Sequence, residues 1–152
     1  MAKGWKGESR RHSLARRGIK TINHSGNERL LKAPLESKST KLPIQLSINV
    51  PSTDYDKKIS VKENEKRIEE TKIMLSEIFG GDTAVKGKGD YTSDGKLISE
   101  DVVIVESSMT KEDYLKNKSK LERFIKEKQK SWNQETIGYK FEGDFFIYPK
   151  FD

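Results

Sequence analysis

Between Leu42 and Pro51 the apolar residues fall on alternate positions. Ile44, Leu46, Ile48 and Val50 are separated by Gln45, Ser47 and Asn49. A period of two puts all four on one side of an extended chain and predicts a strand with one buried face. Pro43 and Pro51 bracket the run, where a missing N–H is tolerated. A strand of this kind needs a second layer over its apolar side, and the following residues provide one.

Ser60-Val61-Lys62-Glu63 fits a capping box, in which side chains satisfy the free N–H groups of a first helical turn. Val61, Ile68, Thr71, Leu75, Ile78 and Phe79 then recur at helical spacing, and Gly80-Gly81 ends the helix. The stretch 82–108 predicts two strands joined at Asp94-Gly95, a dipeptide suited to tight hairpin turns. Val102 to Val105 is continuously apolar and predicts a central strand. Gly87 and Gly89 weaken its partner and place that strand at an edge. Thr110, with Asp113 three residues on, caps a second helix. Tyr114, Leu121, Ile125 and Trp132 mark its core face, widened by Leu115 and Phe124. Ile137, Tyr139 and Phe141 alternate up to a turn at Glu142-Gly143-Asp144, and Phe145 to Tyr148 reads as a last strand.

The resulting order is β-α-β-β-α-β with an extra C-terminal strand. That is the ferredoxin-like split βαβ order, an α+β fold with two helices on one face of an antiparallel sheet. With 152 residues, 32% of them hydrophobic and 36% charged, the chain supports one domain with a thin core plus an appendage. It has no cysteine, which excludes disulfides, thiolate metal sites and a cysteine nucleophile. No apolar run reaches the roughly 18 residues of a membrane span. No apolar stretch follows the basic N-terminus as a secretory signal requires. The expected location is cytoplasmic, with no membrane partner.

Charge is distributed unevenly. Residues 1–41 hold 11 Lys/Arg against 3 Asp/Glu, while the remainder holds 19 against 21. The division expected is therefore a basic, mostly disordered arm over 1–41 and an α+β domain over 42–152. Within the arm, Trp5, Lys6, Arg10, Arg11, Arg16, Arg17 and Lys20 are opposed only by Glu8. Guanidinium forks suit phosphate, and Trp5 offers a ring for stacking. This pattern leads to an expectation of nucleic-acid binding through the phosphate backbone, sensitive to salt and indifferent to base sequence.

Catalytic signals are sparse. Both histidines, His12 and His24, lie in the arm, so neither has the fixed geometry a general base needs. The glycine-rich run GGDTAVKGKGD departs from the phosphate-loop spacing and follows a helix instead of a strand. The folded part is therefore read as non-enzymatic, a platform for self-association or for a partner, with no cofactor and no metal. The alternative is an enzyme or small-ligand domain with a polar site near Glu106, Gln134 and Glu135, residues that close a strand or precede the last hairpin.

Two resemblances accompany this reading. FGGDTAVKGKGDYTSDGKLISEDVVIVES followed by WNQETIGYKFEGDFFIY resembles, over Phe79 to Tyr148, a group of small uncharacterised archaeal and bacterial proteins. Its layout is similar to that of DUF3574-type domains. The opening W-x-G-E segment resembles leaders on archaeal and mobile-element proteins. Neither resemblance implies an activity or assigns a functional residue.

Overall fold

The computed structural model describes residues 31–54 and 57–151. The chain divides into two units, Met1–Lys41 and Leu42–Asp152. Of the first, the described residues contain one 3-10 turn, Glu36–Lys38.

The second unit runs β1 (Ile44–Pro51), β2 (Thr53–Asp54), β3 (Lys57–Lys58), α1 (Val61–Phe79), β4 (Thr83–Ser93), β5 (Lys96–Met109), α2 (Lys111–Ser131), β6 (Ile137–Phe141) and β7 (Asp144–Tyr148). Five strands form one antiparallel sheet in the order β4-β5-β1-β6-β7, and β2 pairs with β3 in a small ribbon. This is the α+β architecture read from the sequence, ferredoxin-like with an added edge strand. Strand β1 is central because its alternation commits one whole face to the core. Leu46, Ile48 and Val50 are buried with Val105 and Met109 of β5 and Ile137 of β6. From the helices, Leu75, Phe79, Leu121, Ile125 and Trp132 complete the cluster. Each such side chain, fully buried, contributes about 1.5–3 kcal/mol.

Local signals operate as the sequence implies. The Ser60 hydroxyl accepts from the Glu63 N–H at 3.0 Å, and the Thr110 hydroxyl accepts from the Asp113 N–H at 3.1 Å. Gly80 takes φ of 90° as α1 ends. Asp94 and Gly95 both have positive φ, as do Glu142 and Gly143, which gives both hairpins turns that match the sheet twist.

Three helix positions differ from the pattern. Val61, at the first position of α1, is 74% exposed, and Leu115, expected to widen the core face of α2, is 61% exposed. Arg67, a cation at helical spacing from Thr71, Leu75 and Phe79, is 2% exposed. Its guanidinium donates to the carbonyls of Pro51, Thr53 and Trp132 at 3.1, 2.8 and 3.1 Å, and its Nε donates to Glu63 at 3.3 Å. The cation also sits 5.7 Å from the Trp132 ring. Arg67 therefore joins α1, the end of β1 and the end of α2, and shares the Thr53 and Trp132 carbonyls with the Gln134 amide.

Candidate functional site

Successive strand residues point to opposite faces. Since Leu46, Ile48 and Val50 face the helices, Ser47, Asn49 and Pro51 face away from them. The register carries that second face across the sheet. Val102 pairs with Pro51 and Gly87, Ile104 with Asn49 and Val85, Glu106 with Ser47 and Thr83, and Lys140 with Ser47 and Phe145. Among the described residues no helix covers this side.

A cleft of about 200 Å³ opens there. Its polar lining is Asn49, Glu100, Gln134 and Thr136, and its apolar wall includes Val102, Phe145 and Ile147. A few polar groups converging on an apolar wall are what a small-molecule site requires. The cleft draws on β1, β4, β5, the α2–β6 turn and both strands of the last hairpin, so residues far apart in the chain meet in it.

Thr53 organises its polar end. The buried Thr53 hydroxyl donates to Glu100 at 2.8 Å. Its carbonyl accepts from Arg67 and, at 2.6 Å, from the Gln134 amide. That amide also donates to the Trp132 carbonyl at 2.9 Å. Both amide hydrogens of Gln134 are thus engaged, which leaves Oε1 as an acceptor for a ligand. Glu100 keeps one carboxylate oxygen beyond the Thr53 contact. The Asn49 amide has no hydrogen-bond partner among the described residues. Thr53→Val, which keeps the shape and removes the hydroxyl, should cost about 1 kcal/mol. It should also free Glu100 to change rotamer. Urea unfolding would read the first effect and ligand affinity the second.

Gly138 sets the width of the cleft. A Cβ built there would lie 2.5 Å from Cζ of Phe145, whose ring rests on the bare glycine backbone. Gly138→Ala is expected to swing the half-exposed ring away, changing stability by less than about 1 kcal/mol while weakening any ligand that uses this wall. A calorimetric titration beside a melting curve would separate the two.

The sequence-based site is only partly assembled. Gln134 lies in the cleft, but Glu106 does not. Glu106 is six positions along β5 from Glu100 on the same face, about 20 Å away at the strand rise. There it borders two other clefts with Ser107 and Ser108. Glu135 is exposed, and its backbone carbonyl accepts weakly from Gln129 at 3.5 Å. The carboxylate opposite Gln134 is Glu100, which sequence reasoning missed. Its placement follows from the β1–β5 register, a long-range property with no local signature. Trp5, Lys6, Arg10, Arg11, Arg16, Arg17 and Lys20 lie outside the described residues.

These features define a ferredoxin-like α+β domain with an open sheet face and a cleft in which a few polar groups meet an apolar wall. Among solved structures the chain is similar to a phage SAM lyase in complex with S-methyl-5'-thioadenosine, at 19% identity and a TM-score of 0.50, covering 68% of this chain and 87% of that one. The apo state of a phage SAM lyase matches at 18% identity and a TM-score of 0.45, covering 72% and 92%. No protein-family model and no curated protein matches the chain.

The likeness corrects the reading of the chain as a non-enzymatic nucleic-acid binder. The fold is shared with a phage SAM lyase, a protein solved in complex with S-methyl-5'-thioadenosine. The earlier inference rested on charge in residues 1–41. The folded part, with 19 Lys/Arg and 21 Asp/Glu, has no excess of cations to support it.

Proposed function

We propose that residues 42–152 form a small-molecule enzyme domain acting on S-adenosylmethionine or a closely related sulfonium, bound at the Glu100–Gln134 cleft. The observation that carries this reading is the convergence of Asn49, Glu100 and Gln134 on one apolar wall, in a fold whose solved neighbour holds S-methyl-5'-thioadenosine. The substrate would carry a sulfonium cation, an ammonium, a carboxylate and an adenine. Glu100 attracts the cationic end, and Asn49 and the Gln134 oxygen supply hydrogen bonds that orient it.

Release of S-methyl-5'-thioadenosine breaks the bond from sulfur to the methionyl γ-carbon. The electron pair goes to sulfur and the product is a neutral thioether. A lyase adds no water, so the substrate's own carboxylate oxygen closes onto the γ-carbon as the carbon–sulfur bond breaks, and an amino lactone leaves beside the thioether. Positive charge on sulfur disappears along this path. An apolar wall such as Val102, Phe145 and Ile147 therefore favours the transition state over the bound sulfonium. Incubation of the full chain with S-adenosylmethionine, followed by chromatography and mass spectrometry, tests the reading. Enzyme-dependent accumulation of S-methyl-5'-thioadenosine supports it, and unchanged substrate contradicts it. A metabolite substrate also accords with a cytoplasmic location, and no described helix is long and apolar enough to cross a membrane.

Self-association is the competing use of this face, because a second copy seated on it would cover Val102, Phe145 and Ile147 and close the cleft. The open sheet face exposes Val85 (47%) and Phe145 (53%) around the half-buried Val102, Ile104 and Ile147. Glu106 and Lys140 flank Ser47 on that face. A two-fold axis along β1 would set Glu106 of one copy against Lys140 of a second, and Val85 against Ile147. Sedimentation of the full chain and of Val85→Glu tests this: a wild-type oligomer lost in the variant supports it, and a wild-type monomer overturns it.

A further inference from the structure

A second cleft lies on the opposite, helix-bearing side of the sheet, between α2 and the β6–β7 hairpin. Its volume is about 270 Å³, and its lining includes Tyr114, Glu122, Tyr139, Phe141 and Phe146, with Lys118 at the rim. Tyr139 and Phe146 are cross-strand partners in the register that carries Ile48, so they face the helices and not the Glu100 side.

The aromatic groups are ordered against one another. Tyr114 and Phe141 have ring centroids 4.8 Å apart, tilted by 32°. Tyr139 and Phe146 stack at 5.5 Å, within 18° of parallel. Phe146 is 43% exposed, so its outer face is available. Neither tyrosine hydroxyl has a hydrogen-bond partner among the described residues. Burial pushes both phenols above their ordinary pKa, and the negative charge of Glu122 raises both further. The carboxylate therefore acts on the same space as the rings. Ring faces, phenol oxygens and a carboxylate all present negative potential to the cleft. The opposing charge is Lys118, whose Nζ is 4.0 Å from Glu122 in a pair about half exposed at each end. An exposed pair at that separation is weak and easily exchanged for another cation.

We propose that this cleft binds a small organic cation of the quaternary-ammonium type, its methyl groups against the Phe146 and Tyr139 rings and its charge balanced by Glu122. The chemistry is cation–π attraction in a partly desolvated pocket, reinforced by one carboxylate. The site is separate from the proposed reaction cleft and does not depend on that reading.

The test titrates the full chain with choline and with its neutral isostere, 3,3-dimethylbutan-1-ol, followed by NMR of the aromatic side chains. Choline should shift Tyr114, Tyr139 and Phe146 and bind at least about 5-fold more tightly than the isostere, as cation–π contacts at partly exposed sites imply. Phe146→Leu, which keeps apolar bulk, should abolish the preference. Glu122→Gln should weaken choline binding. Lys118→Met, by removing the competing ammonium, should strengthen it. That last result is one a merely greasy groove would not give. Equal affinities for the two probes, or choline shifts confined to other residues, overturn the proposal. All three substituted residues are at least partly exposed, and a melting curve on each variant confirms that it is folded.

Discussion

Arg67→Ala is expected to lower stability by about 3–5 kcal/mol, a large part of what a domain of this size possesses. The guanidinium is buried against Pro51, Thr53 and Trp132 carbonyls, with one partly exposed carboxylate, Glu63, beside it. Alanine would take a donor away from each of those carbonyls, leave a cavity beside Trp132 and remove the cation–π contact. Lysine should rescue little, because a single ammonium cannot span acceptors that the planar fork reaches together. The same change would loosen the cleft, since the Thr53 and Trp132 carbonyls that Arg67 holds are also those that receive the Gln134 amide. Chemical denaturation of Arg67→Ala and Arg67→Lys would give the loss directly. A change below about 1 kcal/mol would mean that water replaces the guanidinium without penalty, contrary to its burial.

Glu100→Gln should leave the fold intact and remove most of the proposed activity. The amide is the same size and can still accept from Thr53, so stability should move by less than about 1 kcal/mol. It cannot supply the charge that draws in a cationic substrate. A fall in kcat/KM of about 100-fold or more is expected, the scale on which single preorganised electrostatic groups act. Glu106→Gln should change kcat/KM by less than about 2-fold, within the range of ordinary surface substitutions. The pair of variants thus separates the two ends of β5. Loss of turnover in Glu106→Gln with Glu100→Gln unaffected would move the site to the Ser107–Ser108 end.

What the sequence disclosed divides along physical lines. Strand alternation from Ile44 to Val50, the Ser60 and Thr110 caps and the Asp94-Gly95 turn are local events, decided within a few residues. They gave the element order and hence the ferredoxin-like class. Arg67 stands at helical spacing from Thr71, Leu75 and Phe79, but its charge argues for the solvent face. Its burial depends on carbonyls contributed from 14 to 65 positions away. Glu100 was hidden for a related reason. Nothing near it distinguishes it from Glu106, and only the pairing of β5 with β1 decides which carboxylate meets Gln134. The position of Gln134 before the last hairpin marks it in the sequence, grouped there with Glu106 and Glu135, whereas the fold sets it beside Glu100. The arm misdirected the functional reading because charge concentration is the loudest feature of the chain, whereas a cleft assembled across five elements has no compositional trace.

The central claim is that the Glu100–Gln134 cleft receives a thioadenosine-type ligand. Titrating the isotopically labelled full chain with S-methyl-5'-thioadenosine and mapping backbone amide shifts tests it most directly. The account predicts saturable shifts concentrated at Asn49, Gly89, Glu100, Gln134, Thr136 and Gly138, reduced in Gly138→Ala. Shifts clustered elsewhere, or none at millimolar ligand, would contradict it.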